Sequence, residues 1–354
     1  MTVLSPRPSP AIASPEQAPL PRVDPITHLP ILILFPHSRC NCRCVMCDIW
    51  RDRTSREITA GQVARWMDEW RGLGVERVVL SGGEALLHSD LWTLCDHLRA
   101  ADIGISILST GLLLRKHASE LVKRCDDVVV SLDGPQPIHD RIRNVPRAFV
   151  LLSEGVAAVK TADARVQVSA RCTVQRANCG HLRETVLAAR AIGLDRISFL
   201  AADVSSDAFN RPDGWSADRV DAVALDASDL ARLSAELDAL EREHIRDFES
   251  GFIAESPTKL RRRLEQYFGA LLGQASFHPN ECNAPWVSSV IEADGTVRPC
   301  FFQPPLGNIH SAGSLSAVIN SPDAIVWRQG LDVKRNAICE RCVCTLSLAR
   351  STPP

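Results

Sequence analysis

The sequence predicts an α/β fold: a partial (β/α)6 barrel, similar to an incomplete TIM barrel, followed by a small cysteine-rich α+β extension. Short apolar runs alternate with helical stretches from residue 29 to residue 201, which is typical of a parallel sheet with helical crossovers. From about residue 280 this alternation gives way to cysteines around one hairpin. The 354 residues suffice for a barrel or for two modest domains.

The predicted barrel elements follow one another in regular order. Six short apolar runs read as buried strands: Ile31–Phe35, Arg77–Ser81, Ile105–Ser109, Asp127–Ser131, Val166–Val174 and Arg196–Ala201. Five stretches between them have helical periodicity: Thr59–Leu73, Asp90–Ala101, Arg115–Arg124, Ala148–Thr161 and His181–Ile192. Functional loops are expected at the carboxyl ends of the strands.

Three further regions flank or follow the predicted barrel core at 29–201. Residues 1–28 are rich in Pro, Ser and Ala and are predicted to be disordered. Residues 202–279 are predicted to form a loop and helical linker or lid, with helices at Ala227–Ile245 and Ser256–Leu272. Residues 280–349 form the cysteine-rich extension, where Val287–Ile291 and Thr296–Pro299 read as a hairpin.

Composition excludes two classes of partner. With 40 Lys and Arg against 42 Asp and Glu, the net charge of −2 argues against binding nucleic acid through bulk electrostatics. The longest apolar stretch, Leu29–Phe35, is far shorter than the roughly 20 residues of a membrane span. Since no secretory signal is evident, we expect a cytoplasmic protein with reduced thiols and no membrane partner.

Four cysteines lie just behind the first predicted strand. Cys40, Cys44 and Cys47 form a CxxxCxxC motif, and three closely spaced thiolates suit three corners of a cubane iron–sulfur cluster. The fourth iron is then free to bind another molecule. The alternation of Cys40, Cys42 and Cys44 is expected to point Cys42 away from the others, although Cys42 as a fourth ligand and zinc as the metal remain alternatives.

The chain resembles the radical S-adenosylmethionine (SAM) enzymes at this motif and at the next three strand ends. These carry Ser81-Gly-Gly-Glu84, Ser109-Thr-Gly111 and Ser131-Leu-Asp-Gly134, and the resemblance covers about residues 30–201. It implies a SAM site that includes Met46, Gly82, Gly83, Glu84, Ser109, Thr110, Ser131, Asp133 and Arg171. In that family Gly-Gly-Glu binds the amino group of SAM, and Met46 stands where an aromatic residue is usual.

A second cysteine set lies in the extension. The hairpin brings Cys282 and Cys300 together, and Cys339 and Cys342 add a CxxC pair. This set resembles the twitch/SPASM extension of radical SAM enzymes, which implies an auxiliary 4Fe-4S cluster. Few cysteines remain for another cluster, so the single-cluster twitch form fits better. Cys344 in place of Cys342, and zinc in place of iron, stay open.

The resemblance also implies the reaction. A 4Fe-4S cluster coordinated by three cysteines and SAM would cleave SAM reductively to a 5′-deoxyadenosyl radical, which abstracts a hydrogen atom from substrate. We expect oxidation or dehydrogenation of a small molecule, assisted by the auxiliary cluster and supplied by an electron donor such as flavodoxin or ferredoxin. The alternatives are crosslinking or epimerisation of a ribosomally made peptide, and a non-enzymatic iron–sulfur or zinc-binding protein.

A charged run after the fourth predicted strand is expected to be solvated on the surface. It holds His139, Asp140, Arg141 and Arg143. Contact between these residues and a polar substrate is the alternative.

Overall fold

The computed structural model describes residues 25–348 and forms one mixed sheet covered by helices. Its nine strands are β1 Ile31–Leu34, β2 Arg77–Leu80, β3 Gly104–Ser109, β4 Asp127–Ser131, β5 Gln167–Val174, β6 Arg196–Ala201, β7 Ser288–Ile291, β8 Thr296–Arg298 and β9 Gly307–Asn308. Strands β1 to β6 pair in sequence order and in parallel. The predicted α/β partial barrel is confirmed.

Helices connect the parallel strands and cover the sheet. The first six are α1 Ala60–Gly72, α2 Leu91–Ala100, α3 Leu114–Arg124, α4 Gln136–Arg143, α5 Ala148–Ala162 and α6 Leu182–Ala191. Single 3₁₀ turns lie at Ile49–Arg51 and Ala85–Leu87. Helix α1 begins in a capping box, in which Thr59 Oγ1 accepts from the N–H of Gln62 at 3.2 Å. Helix α4 was not predicted, because its charged residues indicated a solvated surface run.

The region predicted as a linker or lid contains a loop and several helices. They are α7 Ala217–Val223, α8 Ala227–Glu243, α9 Ile245–Glu249, α10 Pro257–Arg261 and α11 Tyr267–Leu271. The single helix predicted over 256–272 is divided, because a π-helical turn at Arg262–Gln266 separates α10 from α11. The segment after β6 doubles back along the edge of the sheet, where Ile197 bridges Ile253 in parallel.

The cysteine-rich extension continues the barrel sheet. Strand β7 pairs in parallel with β1, with Leu32 opposite Ser289, and the predicted hairpin forms as the antiparallel pair β7–β8. The remaining helices are α12 Ala284–Val287, α13 Ile309–Ala312, α14 Leu315–Ile319, α15 Pro322–Gln329 and α16 Ala337–Glu340. No helix within residues 25–348 is long and apolar enough to cross a membrane.

Only residues 25–28 of the segment predicted to be disordered belong to the described part of the chain. Residues 1–24 of the segment predicted as disordered lie outside the described residues, as does residue 349 of the extension. Residues 25–28 depart from that prediction. Ile26 is buried, its N–H donates to Asn320 Oδ1 at 2.7 Å, and its carbonyl accepts from Asn320 Nδ2 at 2.9 Å. This segment is therefore tied to the end of α14.

Candidate functional site

The carboxyl ends of β2 to β6, with the loop after β1, enclose a cavity of about 230 Å³, here called the inner cavity. Because parallel strands end at the same edge of a sheet, their terminal residues converge there. Most of the predicted site residues line this cavity: Cys40, Cys44, Met46, Cys47, Gly82, Gly83, Ser109, Thr110, Ser131 and Arg171. Glu84 and Asp133 do not line it and are fully buried behind its wall.

The cysteine loop between β1 and the first 3₁₀ turn presents free thiols to the inner cavity. Cys44 is buried, whereas Cys40 and Cys47 are partly exposed. Burial, with a smaller contribution from the neighbouring Cys44, raises the pKa of Cys47 to about 12. Thiols that share one cavity disfavour one another's ionisation, and a metal centre relieves that repulsion. The donor set therefore fits an iron–sulfur cluster.

Cys42 lies against Cys44 rather than away from it. The neighbouring Cys42 thiol and the Arg143 guanidinium lower the pKa of Cys44 to about 6. Cys42 is also buried on the lining of the inner cavity. The expectation from simple alternation is wrong, because the segment after β1 is a loop and does not keep the two-residue period of a strand.

The two glycines after β2 allow close backbone packing. At Gly83 a Cβ would lie 2.2 Å from the carbonyl oxygen of Arg39, and the next residue, Glu84, donates its N–H to that oxygen at 2.9 Å. Gly82 has φ +96°, and a Cβ there would lie 2.7 Å from the ring of Phe35. These glycines thus bring the end of β2 against the cysteine loop, in addition to any contact with a ligand.

Glu84 connects the ends of β2 and β3. Its Oε2 accepts from Thr110 N at 2.7 Å, from Thr110 Oγ1 at 2.6 Å and from Ser109 Oγ at 3.0 Å. Burial raises the pKa of Glu84, while these hydrogen bonds favour the carboxylate. In this structure the carboxylate orients Ser109 and Thr110 toward the cavity. Its contact with the SAM amino group stays a prediction.

Asp133 forms a buried ion pair that was not predicted from the sequence. Its Oδ2 lies 2.5 Å from Arg143 NH2, and its Oδ1 accepts from Thr173 N at 2.9 Å. Arg143 and His139 are buried, so solvation of the whole charged run is wrong for these two residues. Helix α4 turns them inward on the face that Ile138 and Ile142 share, and Arg141 lies on the exposed face. A role for Asp133 in SAM binding also stays a prediction.

The loop after β6 covers the cysteine loop, and Asp48 is the centre of the contact. Trp215 Nε1 donates to Asp48 Oδ2 at 2.6 Å, and Arg219 NH2 donates to Asp48 Oδ1 at 3.2 Å. The backbone N–H of Asp48 donates to the carbonyl of Phe209 at 3.2 Å. We call residues 202–223 the lid.

A second cavity of about 600 Å³, the outer cavity, lies between the cysteine loop, the lid and the β7–β8 hairpin. It shares Ile49, Gly83 and Phe209 with the inner cavity. Phenyl rings form much of its wall: Phe35 and Phe301 stack with centroids 5.8 Å apart, and Phe209 meets Phe302 edge to face. The outer cavity therefore begins where the inner cavity ends.

The cysteines of the second set lie within electrostatic range of one another. Cys282, Cys339 and Cys342 interact electrostatically with one another or with Cys300, and burial raises the pKa of Cys300 to about 11. No group of His, Cys, Asp or Glu within residues 25–348 converges as the ligands of a single metal ion do. Gln303, itself buried, donates to Cys339 Sγ at 3.2 Å. Cys344 donates its backbone N–H to Cys342 Sγ at 3.4 Å.

Two family models match along the chain. The radical SAM superfamily model matches residues 34–199, and the SPASM model, an iron–sulfur cluster-binding domain, matches residues 282–343. The chain belongs to the radical SAM superfamily. It carries a carboxyl-terminal SPASM domain, and its cofactors are SAM and 4Fe-4S clusters. The prediction of a single auxiliary cluster stays untested.

Relatives of this radical SAM protein differ in their reactions. It is 27% identical to AdoMet-dependent heme synthase of Methanosarcina barkeri over 48% of this chain and 49% of the relative. It is 30% identical to mycofactocin maturase MftC of Mycolicibacterium smegmatis over 51% of this chain and 44% of the relative. The chain thus spans about half the length of these curated relatives.

Solved structures extend the likeness over nearly the whole chain. Streptococcus suis SuiB bound to S-adenosylmethionine superposes with a TM-score of 0.60 at 16% identity, covering 90% of this chain and 72% of SuiB. SuiB bound to its precursor peptide SuiA gives a TM-score of 0.61 at 14% identity over the same shares. At this identity the likeness concerns the fold.

Proposed function

We propose that this radical SAM enzyme abstracts a hydrogen atom from a small-molecule substrate, and that the net reaction is an oxidation assisted by an auxiliary 4Fe-4S cluster. One observation carries the proposal. The inner cavity, lined by the three motif thiols, opens onto the outer cavity, whose wall is built by the SPASM hairpin. A substrate in the outer cavity would lie between the two cysteine sets.

The residues of the inner cavity have distinct roles in this proposal. Cys40, Cys44 and Cys47 would hold the cluster, and Arg171 would meet the carboxylate of SAM as a charge-assisted partner. When bound, the reduced cluster and SAM supply the 5′-deoxyadenosyl radical that takes the hydrogen atom. An electron donor such as flavodoxin or ferredoxin would reduce the cluster. The lid and the hairpin would keep water from the reacting atoms.

The outer cavity supports a substrate with an apolar or aromatic portion. Its volume of about 600 Å³ lies within the range of small-molecule sites. Several charges on its wall are already paired, since Arg56 lies 3.5 Å from Asp294 and Arg298 binds Glu292. The phenyl rings are therefore the main unpaired surface available to a ligand.

The auxiliary cysteines lie next to both cavities along the chain. Ile338 lines the outer cavity and precedes Cys339, while Val343 lines the inner cavity and follows Cys342. A cluster held by Cys282, Cys300, Cys339 and Cys342 would therefore have ligands directly adjacent in the chain to residues that line both cavities. This proximity supports its role as acceptor of the electron that a substrate radical loses on oxidation.

Modification of a peptide is the second candidate. The outer cavity reaches the surface at exposed residues such as Asp207 and Pro304, so a longer chain has a way in. SuiB, which shares the fold, has been solved with a precursor peptide. Product analysis separates the candidates, because crosslinking or epimerisation leaves an altered peptide whereas the first proposal leaves an oxidised small molecule.

The test is anaerobic formation of 5′-deoxyadenosine from SAM and dithionite after iron–sulfur reconstitution. Wild type is expected to form it, and Cys40→Ala/Cys44→Ala/Cys47→Ala is expected to form none and to lose about half the iron, since one of two clusters loses its ligands. Product from the triple variant would contradict the assignment of the inner cavity.

Cys339→Ala is the matched control. This variant should lose the auxiliary cluster and still cleave SAM, because its change lies outside the inner cavity. Unchanged iron and sulfide in Cys339→Ala would contradict the assignment of the auxiliary site.

A further inference from the structure

A buried guanidinium touches one of the three motif cysteines. Arg143 NH1 donates to Cys44 Sγ at 3.5 Å, and its NH2 lies 2.5 Å from Asp133 Oδ2. Arg143 is 6% exposed and Asp133 is fully buried. The cation therefore joins a carboxylate at the end of β4 to a sulfur of the cysteine loop, away from solvent.

Backbone contacts hold this guanidinium in place. The carbonyls of Ile142 and Arg143, at the end of α4, accept hydrogen bonds from Val45 N at 3.0 Å and Arg43 N at 3.1 Å. Asn144 then ends the helix in the left-handed region, with φ +52°. Helix α4 and the cysteine loop are thus hydrogen-bonded on both sides of Cys44, so the contact between Arg143 and its sulfur is built into the fold.

Among the side chains around Arg143, the guanidinium carries the positive charge. His139 is buried beside Arg143, and desolvation lowers its pKa to about 3, so its ring is neutral. Asp133 balances part of the guanidinium charge at NH2, whereas NH1 donates to Cys44. Hydrogen bonds to ligand sulfurs and nearby charge are principal determinants of the reduction potential of an iron–sulfur cluster.

We propose that Arg143 is a positioning residue that raises the reduction potential of the cluster held by Cys40, Cys44 and Cys47. Reduction adds one negative charge to the cluster and its ligands, and the N–H donor at Cys44 stabilises that reduced form more than the oxidised form. This inference rests on the proposed function, because it needs a cluster at the inner cavity. Asp133 moderates the effect by drawing the guanidinium toward the carboxylate.

Arg143→Lys separates this role from that of a simple buried ion pair. Lysine keeps a positive charge for Asp133, so the buried carboxylate is not left unpaired. Its single ammonium lacks the fork of donors with which arginine reaches two groups at once. If the contact with Cys44 matters, the potential changes although the ion pair survives. The matched control is Arg141→Lys, because Arg141 is on the same helix and exposed.

The experiment is a potentiometric titration of the reconstituted full chain, followed by electron paramagnetic resonance. The signal that changes when SAM is added reports the inner cluster and not the auxiliary one. In Arg143→Lys the ratio of reduced to oxidised inner cluster at a fixed potential should fall about tenfold, which is about 59 mV for one electron. Arg141→Lys should titrate as wild type. Equal potentials in Arg143→Lys and wild type, at equal iron content, would overturn the proposal.

A second variant decides the matter if Arg143→Lys does not take up a full cluster. Asp133→Asn keeps the guanidinium and removes its competing charge, so the potential of the SAM-sensitive signal should rise. An unchanged or lower potential in Asp133→Asn would refute the role of Arg143. A wild-type chain without a SAM-sensitive signal would instead contradict the proposed function itself.

Discussion

Individual polar side chains behind the inner cavity are buried and paired with one another. Glu84 accepts from Ser109 and Thr110, and Asp133 pairs with Arg143. Burying a charge is costly unless a partner or hydrogen bonds compensate it. These pairs therefore stabilise the strand ends in one arrangement before any cofactor binds.

The buried His139 is expected to make the free energy of unfolding depend on pH. Its Nδ1 accepts from Asp133 N at 3.2 Å, and its ring is fully buried. Desolvation lowers the pKa of His139 from 6.5 to about 3. The unfolded chain therefore binds the proton first as the pH falls, and folding stability is lost between pH 6.5 and about 3, at up to about 1.4 kcal/mol per pH unit.

The measurement is chemical unfolding of the apo chain at several pH values between 7 and 4. His139→Gln should reduce the pH dependence of the free energy of unfolding by about one proton relative to wild type. His181→Gln, at a half-exposed histidine whose Nδ1 lies 2.9 Å from Glu184 Oε1, is the comparison variant. Equal slopes for His139→Gln and wild type would show that His139 does not stay neutral in the folded chain.

Contacts between elements determine how the inner cavity is closed. The lid is attached to the cysteine loop mainly through Asp48, whose carboxylate accepts hydrogen bonds from Trp215 and Arg219. Within the lid, the buried Arg211 pairs with Asp203 and donates to its carbonyl at 2.7 Å. The lid is thus ordered internally, and Asp48 is its main attachment, beside a hydrogen bond from Arg219 NH2 to the carbonyl of Val45 at 3.2 Å.

Trp215→Phe should loosen the attachment of the lid. The change removes the hydrogen bond to the Asp48 carboxylate and keeps an aromatic ring, at a cost of about 1.5–3 kcal/mol for a bond to a charged group. Amide hydrogen exchange at residues 209–219 should then accelerate by roughly one to two orders of magnitude. Asp218→Asn, at an exposed position on α7, is the control. Exchange as slow as in wild type would mean that other contacts hold the lid.

Within residues 25–348 one continuous nine-stranded sheet runs through both the barrel core and the extension. Strand β7 covers the edge of β1 over four residues. The extension also contacts α1, where Glu69 accepts from Leu315 N at 3.1 Å and from Ser316 N at 2.6 Å. The barrel core and the SPASM domain should therefore depend on each other for stability.

A chain that ends at residue 279 tests this dependence. It would expose the edge of β1, and an exposed apolar edge strand promotes association between chains. Leu32 and Leu34, which are fully buried in the intact chain, lie on that strand. We expect the truncated chain to elute as aggregates in size-exclusion chromatography, with the intact chain as control. A monomer with cooperative thermal unfolding would show that the barrel folds without the extension.

Local sequence patterns determined the order of elements and most of the inner cavity. Alternating apolar runs predict parallel strands in sequence order because each run needs a crossover helix before the next. Cys40, Cys44 and Cys47 could be grouped because they lie on one short loop, and Ser109 and Ser131 because each ends a strand. Such features depend on residues close together in the chain.

Tertiary structure alone decided the contacts that join distant segments. Arg143 reaches Cys44 across 99 residues, and Trp215 reaches Asp48 across 167. The pairing of β7 with β1 is of the same kind. The partner of a charged run or of a short apolar strand cannot be predicted from the residues of that run or strand. That partner is chosen by how the helices and sheet pack, since a buried charge or an open strand edge is stable only where packing brings it to a complementary group.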